Sequence, residues 1–368
     1  MTDSIRVSGL TLLRLLGGPV ILAAVLVWVD VPEVLSRLGN LHPAWVALAL
    51  GVGVVQTLGS AWRWRFTAGR LDIRLPFGAA VREYWLAGFL NQVIPGGVVG
   101  DVSRAFRHAR NPQERDHDPP GADGHPPVDW SSVGGGFESR AVHAVILERL
   151  SGQVVVAVAA AVSGVALLTP LSGGWATAWG LAVLVGIVVV QAAVPSDSSR
   201  HRPGEPVSGF SDSLRAALVG RTALPVQLVT SVGVVASYVA MYLAAARAVG
   251  VETPFVAMLP LVTPVLLAML VPVSVAGWGV REGAAAAIWA SAGLPASDGV
   301  AISVAYGALV LVSTLPGALV LVADGLTRRR SGAHSSRSDR GRTGGRHRVG
   351  GASRGVAEHP TERRPGEG

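Results

Sequence analysis

Long apolar runs constrain this chain more than any other feature of its sequence. There are six, and they lie at about residues 15–29, 44–62, 141–168, 175–194, 224–249 and 300–323. About 20 apolar residues in a helix cross a hydrocarbon core of about 30 Å. The runs are continuous and do not alternate with polar residues, so each predicts a membrane helix and not a barrel strand.

The overall composition agrees with this interpretation. Half of the 368 residues are apolar and only 15% are charged, whereas an ordinary soluble domain carries about 25% charged residues. The sequence therefore predicts an all-α, polytopic integral membrane protein.

Arginine clusters predict the orientation of the chain. The connection after the second run contains Arg63, Arg65, Arg70, Arg74 and Arg82, and later connections near residues 104–110 and 200–215 are also basic. Such clusters are typical of cytoplasmic loops, so both termini are expected in the cytoplasm. Trp45, Trp62 and Trp64 are expected to be interfacial anchors. All 31 basic residues are Arg, which is typical of a GC-rich genome and indicates a bacterial inner membrane.

Two segments lack the apolar residues that a folded core needs. Residues 111–139 are rich in Pro, Gly and Asp, and we expect a flexible cytoplasmic loop there. Residues 328–368 contain eleven Arg and four acids, an excess equal to the net charge of +7 of the whole chain. We interpret this part as a disordered basic tail and not as a nucleic-acid site. The expected domains are thus a transmembrane domain over residues 1–327 and a tail over 328–368.

Two further apolar stretches are too short or too interrupted to be ordinary spans. The first stretch, residues 84–94, is followed directly by Pro95, Gly96 and Gly97. The second, residues 255–275 together with 283–292, is interrupted by Pro260, Pro264 and Pro272. Pro lacks a backbone donor and Gly lacks backbone restraint, so helices break at such points. Re-entrant half-helices and short full spans both fit this pattern, for a total of six to eight transmembrane helices.

The two broken segments echo each other. In each, Pro is followed by Gly five positions later and by Arg nine positions later: Pro95, Gly100 and Arg104, then Pro272, Gly277 and Arg281. Asp101 and Glu282 accompany the two Arg, and Gly279 is a further breaker. Paired interruptions of this kind in an inverted repeat are typical of a transporter's substrate site. Free N–H groups at a half-helix attract an anionic headgroup. The alternative is that these Pro and Gly residues only end helices.

Charged and polar residues within the apolar sequence are the remaining candidates. Glu148 and Arg149 lie inside an apolar run, where charges are costly and are usually paired or line a pathway. Adjacent residues on a helix point about 100° apart, so we expect partners on other segments: Arg104 or Arg281 for Glu148, and Asp101 or Glu282 for Arg149. A purely structural ion network is the alternative. Asn91 is expected to satisfy backbone groups freed by Pro95 or to contact a headgroup.

No catalytic machinery is recognisable. The chain has no Cys, no metal-ligand spacing such as HExxH and no nucleotide-binding fingerprint. We therefore predict no catalytic residues, no metal, no cofactor and no nucleic-acid partner.

Three motifs together resemble those of the lysylphosphatidylglycerol synthase transmembrane family. They are the segments from Asn91 to Arg104, from Glu148 to Leu150 and from Pro272 to Gly283, and the resemblance extends over about residues 10–325. It implies an integral membrane protein that moves or handles a lipid with a charged polar headgroup. It also implies a stand-alone member, because no soluble aminoacyltransferase domain follows residue 323.

Two functions follow from this resemblance. The first is a flippase in which Arg104, Arg149 and Arg281 bind a phosphate or carboxylate headgroup. Asp101, Glu148 and Glu282 would hold these Arg or meet an amino group. The expected partners are anionic, aminoacylated or glycosylated lipids. Association of two copies into a homodimer is left as an open alternative. The second is a partner or regulator that presents lipid to a separate glycosyltransferase or aminoacyltransferase.

Overall fold

Every regular element in the described part of the chain is helical. The computed structural model describes residues 9–94, 99–109, 130–168, 210–220, 222–270 and 274–326. The helices are α1 (Gly9–Trp28), α2 (Val31–Gly39), α3 (Pro43–Gly69), α4 (Phe77–Val93), α5 (Val99–Ala109), α6 (Trp130–Leu168), α7 (Phe210–Leu214), α8 (Ala223–Ala248), α9 (Phe255–Ala268), α10 (Val280–Ser291) and α11 (Ala296–Thr314). A π-helical turn, Arg215–Val219, follows α7. By internal contacts the chain divides into two units, Met1–Leu321 and Val322–Gly368.

Four helical segments of the described residues are long and apolar enough to cross a membrane. They are Pro43–Gly69, Ser139–Val165, Ala223–Ala248 and Ala296–Leu326. A fifth span results if Pro19–Trp28 and Val31–Gly39, which are bent by 104° relative to each other, count as one. These segments coincide with five of the six predicted runs. The sixth, residues 175–194, lies outside the described residues.

The first broken segment is longer than predicted. Its first helix, α4, has 17 residues and begins at Phe77, so the predicted start at Tyr84 was wrong. Apolar residues alone had defined that start, and they missed the helical turns around Arg82. α5 then runs back along α4, because Arg107 contacts Glu83 and Gly100 lies against Ala87. The interruption at Pro95–Gly97 lies outside the described residues.

The second broken segment contains an uninterrupted helix. α9 continues through Pro260 and Pro264, which the sequence analysis had counted as interruptions. A Pro inside a membrane helix is tolerated where neighbouring helices surround the freed backbone groups, and α9 packs along α6 and α10. The chain then turns over residues 274–279 into α10. Pro272 lies outside the described residues.

The predicted loop over residues 111–139 is too long at its C-terminal end. α6 has 39 residues and begins at Trp130, so residues 130–139 are helical. Their Gly and Ser content suggested a loop, but they adjoin a strongly apolar helix, and adding residues to an existing helix is far easier than starting one. Residues 111–129 lie outside the described residues.

Close helix packing on small residues positions the later elements. α3 packs along α8 and contacts α11, where a Cβ added at Gly53 would come within 2.9 Å of the Ser313 Cβ. α4 meets α11 in the same way, since a Cβ at Gly88 would lie 3.2 Å from the Thr314 Cγ2. Helices that approach this closely hold the side chains between them in fixed positions.

Candidate functional site: a buried charge network beside a cavity

The Glu148 carboxylate is the centre of a largely buried ion network. Its Oε1 accepts hydrogen bonds from Arg63 Nε at 3.1 Å and from Tyr84 Oη at 2.8 Å, and Arg63 Nη2 contacts the same oxygen. Its Oε2 accepts from Arg104 Nη2 at 3.1 Å. Glu148 is 0% exposed. Four helices, α3, α4, α5 and α6, are thus joined at a single side chain.

Asp101 extends this network along α5. Its Oδ2 accepts a hydrogen bond from Asn91 Nδ2 at 2.9 Å and is paired with Arg149, while Arg104 Nη2 lies 3.3 Å from its Oδ1. The amide oxygen of Asn91, Oδ1, accepts a hydrogen bond from the Gly100 backbone N–H at 2.8 Å. Asn91 therefore satisfies a backbone donor in the first turn of α5, one of the two roles expected of it.

Arg104 is held by aromatic rings as well as by carboxylates. Its guanidinium carbon lies 4.4 Å from the ring centroid of Trp64 and 4.3 Å from that of Tyr84, and the residue is fully buried. Rings at this distance stabilise a cation that has lost its water. Trp64 is itself 0% exposed, so its predicted role as an interfacial anchor was wrong.

The network carries an excess of positive charge. Its described members are three Arg (Arg63, Arg104 and Arg149) and two acids (Asp101 and Glu148). Burying a charge without a full set of partners is costly. Each Arg contacts a carboxylate, but three cations share two anions, so these described residues have a net charge of +1. Arg149 is the most accessible of the three, with 39% of its side chain exposed.

A second buried cluster lies on α10 and α11. Arg281 donates from Nη2 to Glu282 Oε1 at 2.6 Å and from Nε to Ser303 Oγ at 2.8 Å, and Ser303 donates to the same carboxylate oxygen at 3.0 Å. Glu282 Oε2 accepts the Gly279 backbone N–H at 2.6 Å, which caps α10. Arg281 and Glu282 thus pair with each other, although they are adjacent, and not with the first cluster as the sequence had allowed.

The two broken segments share the spacing of Pro, Gly and Arg, but Gly is required at the matching positions for different structural reasons. Gly100 is helical, and a Cβ there would overlap the Ala87 carbonyl oxygen. Gly277 and Gly279 instead have φ values of 80° and 84°, a region that residues with a Cβ seldom adopt. Ala276 shares this conformation at φ 52°, which is strained for Ala. Close packing explains the first Gly, and backbone conformation explains the second pair.

The two clusters are separated along α8. Arg63 Nη1 donates to Ser231 Oγ at 3.1 Å, and eleven residues later the Tyr242 ring lies 5.3 Å from that of Tyr306, a neighbour of Arg281. Eleven residues correspond to about 16 Å of helix. The clusters are therefore separate, and one space lies beside both of them.

That space is a cavity of about 660 Å³. Most of its lining is apolar, from α3, α4, α5, α6, α8, α9 and α11. The residues of the first cluster on its wall are Arg63, Tyr84, Asn91, Asp101 and Arg149, and those near the second are Ser274, Ala276, Gly277 and Tyr306. A cavity of this volume can hold a ligand much larger than an inorganic ion.

The predicted site residues therefore fall into three groups. Asn91, Asp101, Arg149 and Gly277 line the cavity, whereas Gly100, Arg104, Glu148, Gly279, Arg281 and Glu282 are packed behind it. Pro95, Gly96, Gly97 and Pro272 lie outside the described residues. The structure contains two of the expected pairings, Glu148 with Arg104 and Arg149 with Asp101. Within the described residues, no group of three or more His, Cys, Asp or Glu could hold a metal ion.

Sequence reasoning missed Arg63 and Tyr84. Arg63 was assigned to a cytoplasmic connection because the apolar run ended at Trp62, but α3 continues to Gly69. The available signal was weaker: Trp62, Trp64 and Phe66 extend the apolar character of the run beyond its last aliphatic residue. Tyr84 gave no comparable signal, because a Tyr near a helix start is common.

The sequence matches a known protein-family profile. The sequence profile described as the lysylphosphatidylglycerol synthase TM region matches residues 15–317, which include both broken segments and both clusters. No curated protein and no solved structure gave a match.

Proposed function

Because the chain belongs to the lysylphosphatidylglycerol synthase transmembrane family, a family of multi-pass membrane proteins associated with lipid handling, we propose that it translocates a lipid whose anionic headgroup enters the cavity beside Arg149. The observation that carries the proposal is the excess positive charge of the buried network on the wall of an apolar cavity. An anionic headgroup complements the charge, and the apolar lining suits the adjoining acyl region.

Arg149 is the first contact for the headgroup. It lines the cavity and is the most accessible Arg of the network. Its carboxylate partner among the described residues, Asp101, is also held by Asn91 and Arg104. A phosphate can therefore take the place of Asp101 on Arg149 without leaving that carboxylate alone. Guanidinium groups bind phosphate through short, charge-assisted hydrogen bonds.

Arg63 supports the same end of the cavity from α3. It lies on the cavity wall but donates to Glu148 and Ser231, so it adds electrostatic attraction while remaining fixed. Arg104 and Arg281 are packed behind the wall, and we assign them to holding the carboxylates and helices in place. The two broken segments lie near the two clusters, and a rocking motion of one relative to the other would open the cavity to alternate sides.

We expect Arg149→Gln to reduce lipid translocation at least tenfold, because the variant loses the accessible cation while Asp101 keeps two partners. The measurement uses the purified full chain reconstituted into liposomes with fluorescent phosphatidylglycerol, and scores the label exposed to a membrane-impermeant quencher. Arg74→Gln is the matched control, since Arg74 is exposed and is not among the residues that line the cavity. Equal translocation by both variants would contradict the proposal.

The same preparation distinguishes translocation from presentation. Binding of phosphatidylglycerol that depends on Arg149, without any exchange between leaflets, would reject the flippase and favour a protein that presents lipid to a separate transferase. Translocation by the purified chain alone would exclude a purely presenting role.

A further inference from the structure

The end of the cavity near the second cluster carries polar atoms that are buried and uncharged. Ser274 and Tyr306 both line the cavity, and they are 2% and 0% exposed. Neither hydroxyl has a hydrogen-bond partner among the described residues. Native structures seldom leave buried hydroxyls unpaired, because such groups lose water without replacing it. These two groups are therefore available to a ligand.

The Tyr306 ring is held in place by its neighbours, and Ser274 lies beside a turn with a constrained backbone. The Tyr306 ring packs against Tyr242, and the Arg281 guanidinium lies 5.4 Å from its centroid. Ser274 precedes the turn in which Ala276 and Gly277 have positive φ values. A ring fixed in this way can present its hydroxyl to a ligand without first being ordered.

Two further unpaired polar atoms lie on the same wall. Gln56 Oε1 and Trp85 Nε1 are buried and have no hydrogen-bond partner among the described residues. Gln56 lies seven residues before Arg63 on α3, which corresponds to about 10 Å. Uncharged donors and acceptors thus continue from the charged end of the cavity toward Tyr306.

The end of the cavity near the second cluster offers no free charge to a ligand. The Glu282 carboxylate already accepts from Arg281, Ser303 and the Gly279 backbone. An amino group would therefore find no available carboxylate beside Tyr306, whereas a hydroxyl group would find matching donors and acceptors. This difference separates an aminoacylated headgroup from a hydroxylated one.

We infer that the Ser274–Tyr306 end is a subsite for the hydroxyl-bearing part of a headgroup, so that the lipid carries a sugar or polyol attached to its phosphate. The inference rests on the proposed function, which places the phosphate beside Arg149. A cavity of about 660 Å³ has room for both parts.

The test compares two lipids that carry the same phosphodiester charge. Phosphatidylinositol presents a ring of hydroxyls, and phosphatidylmethanol presents none. We expect the purified full chain in detergent to bind phosphatidylinositol at least tenfold more tightly, since each neutral hydrogen bond contributes about fivefold in affinity. Tyr306→Phe and Ser274→Ala should each weaken phosphatidylinositol binding about fivefold and leave phosphatidylmethanol binding unchanged.

Tyr242→Phe is the matched control. The Tyr242 hydroxyl is also buried and has no partner among the described residues, but Tyr242 is not among the residues that line the cavity. Equal binding of the two lipids, an equal effect of Tyr242→Phe, or preference for an aminoacylated phosphatidylglycerol would overturn the subsite. Arg149-dependent binding of both lipids without preference would overturn the subsite alone. Failure to bind either lipid would overturn the proposed function as well.

Discussion

Replacement of Glu148 by Gln is expected to lower the free energy of unfolding by about 3–5 kcal/mol, because it leaves buried guanidinium groups without their shared anion. Arg63 would lose its carboxylate partner, and Arg104 would keep only the longer contact to Asp101. The amide fits the same space but can accept no more than a neutral hydrogen bond. The measurement is thermal unfolding of the purified protein in detergent, followed by loss of the monodisperse fraction.

Glu33→Gln is the control for this experiment. Glu33 also accepts from an Arg, Arg37, but its side chain is 42% exposed, and water replaces such a partner at little cost. We expect its unfolding temperature to stay near that of the unchanged protein. If Glu148→Gln unfolded at the same temperature as Glu33→Gln, the buried network would not stabilise the fold.

The membrane helices could be predicted because the bilayer imposes one requirement on each of them. A run such as residues 224–249 must be helical and about 20 residues long to cross hydrocarbon, and α8 is Ala223–Ala248. The same requirement made Glu148 and Arg149 conspicuous, since charges are rare in such runs. Hydrophobicity thus predicted both the helices and the centre of the charge network.

Partners of the buried charges were harder to predict, because helix ends and side-chain directions depend on packing. Arg63 was placed outside the membrane helix, because the continuous apolar run ends at Trp62 whereas α3 continues to Gly69. Arg281 was expected to reach another segment, yet Ser303 and the capped start of α10 hold it beside Glu282. Packing also decides whether α9 breaks at Pro260, because neighbouring helices can surround the backbone groups that a Pro frees.

The cavity could not be derived from the sequence at all. Its wall combines residues from seven helices, and single positions such as Ser274 and Tyr306 have no sequence pattern of their own. The sequence did indicate the two broken segments, each of which contributes described residues such as Asp101 and Gly277 to the cavity wall. The uncharged hydroxyls, on which the headgroup class depends, become visible only when burial and hydrogen bonding are known for each atom.

Gly100→Ala is expected to prevent α5 from packing on α4. The added Cβ would overlap the backbone carbonyl oxygen of Ala87, and a helix backbone cannot move aside as a flexible side chain can. Overpacking of this kind costs about 1–3 kcal/mol or more. A displaced α5 would also carry Asp101 and Arg104 away from Arg149 and Glu148, so the loss of folded protein should be comparable to that of Glu148→Gln.

Gly51→Ala provides the comparison, because Gly51 also lies inside a helix but a Cβ there meets nothing within 4 Å. Ala favours a helix over Gly by about 1 kcal/mol, so this variant should be as stable as the unchanged protein or more so. Opposite shifts in unfolding temperature for the two Gly→Ala variants would show that contact with Ala87, and not helix propensity, makes Gly100 necessary. If Gly100→Ala were also neutral, α5 could not lie as close to α4 as the charge network requires.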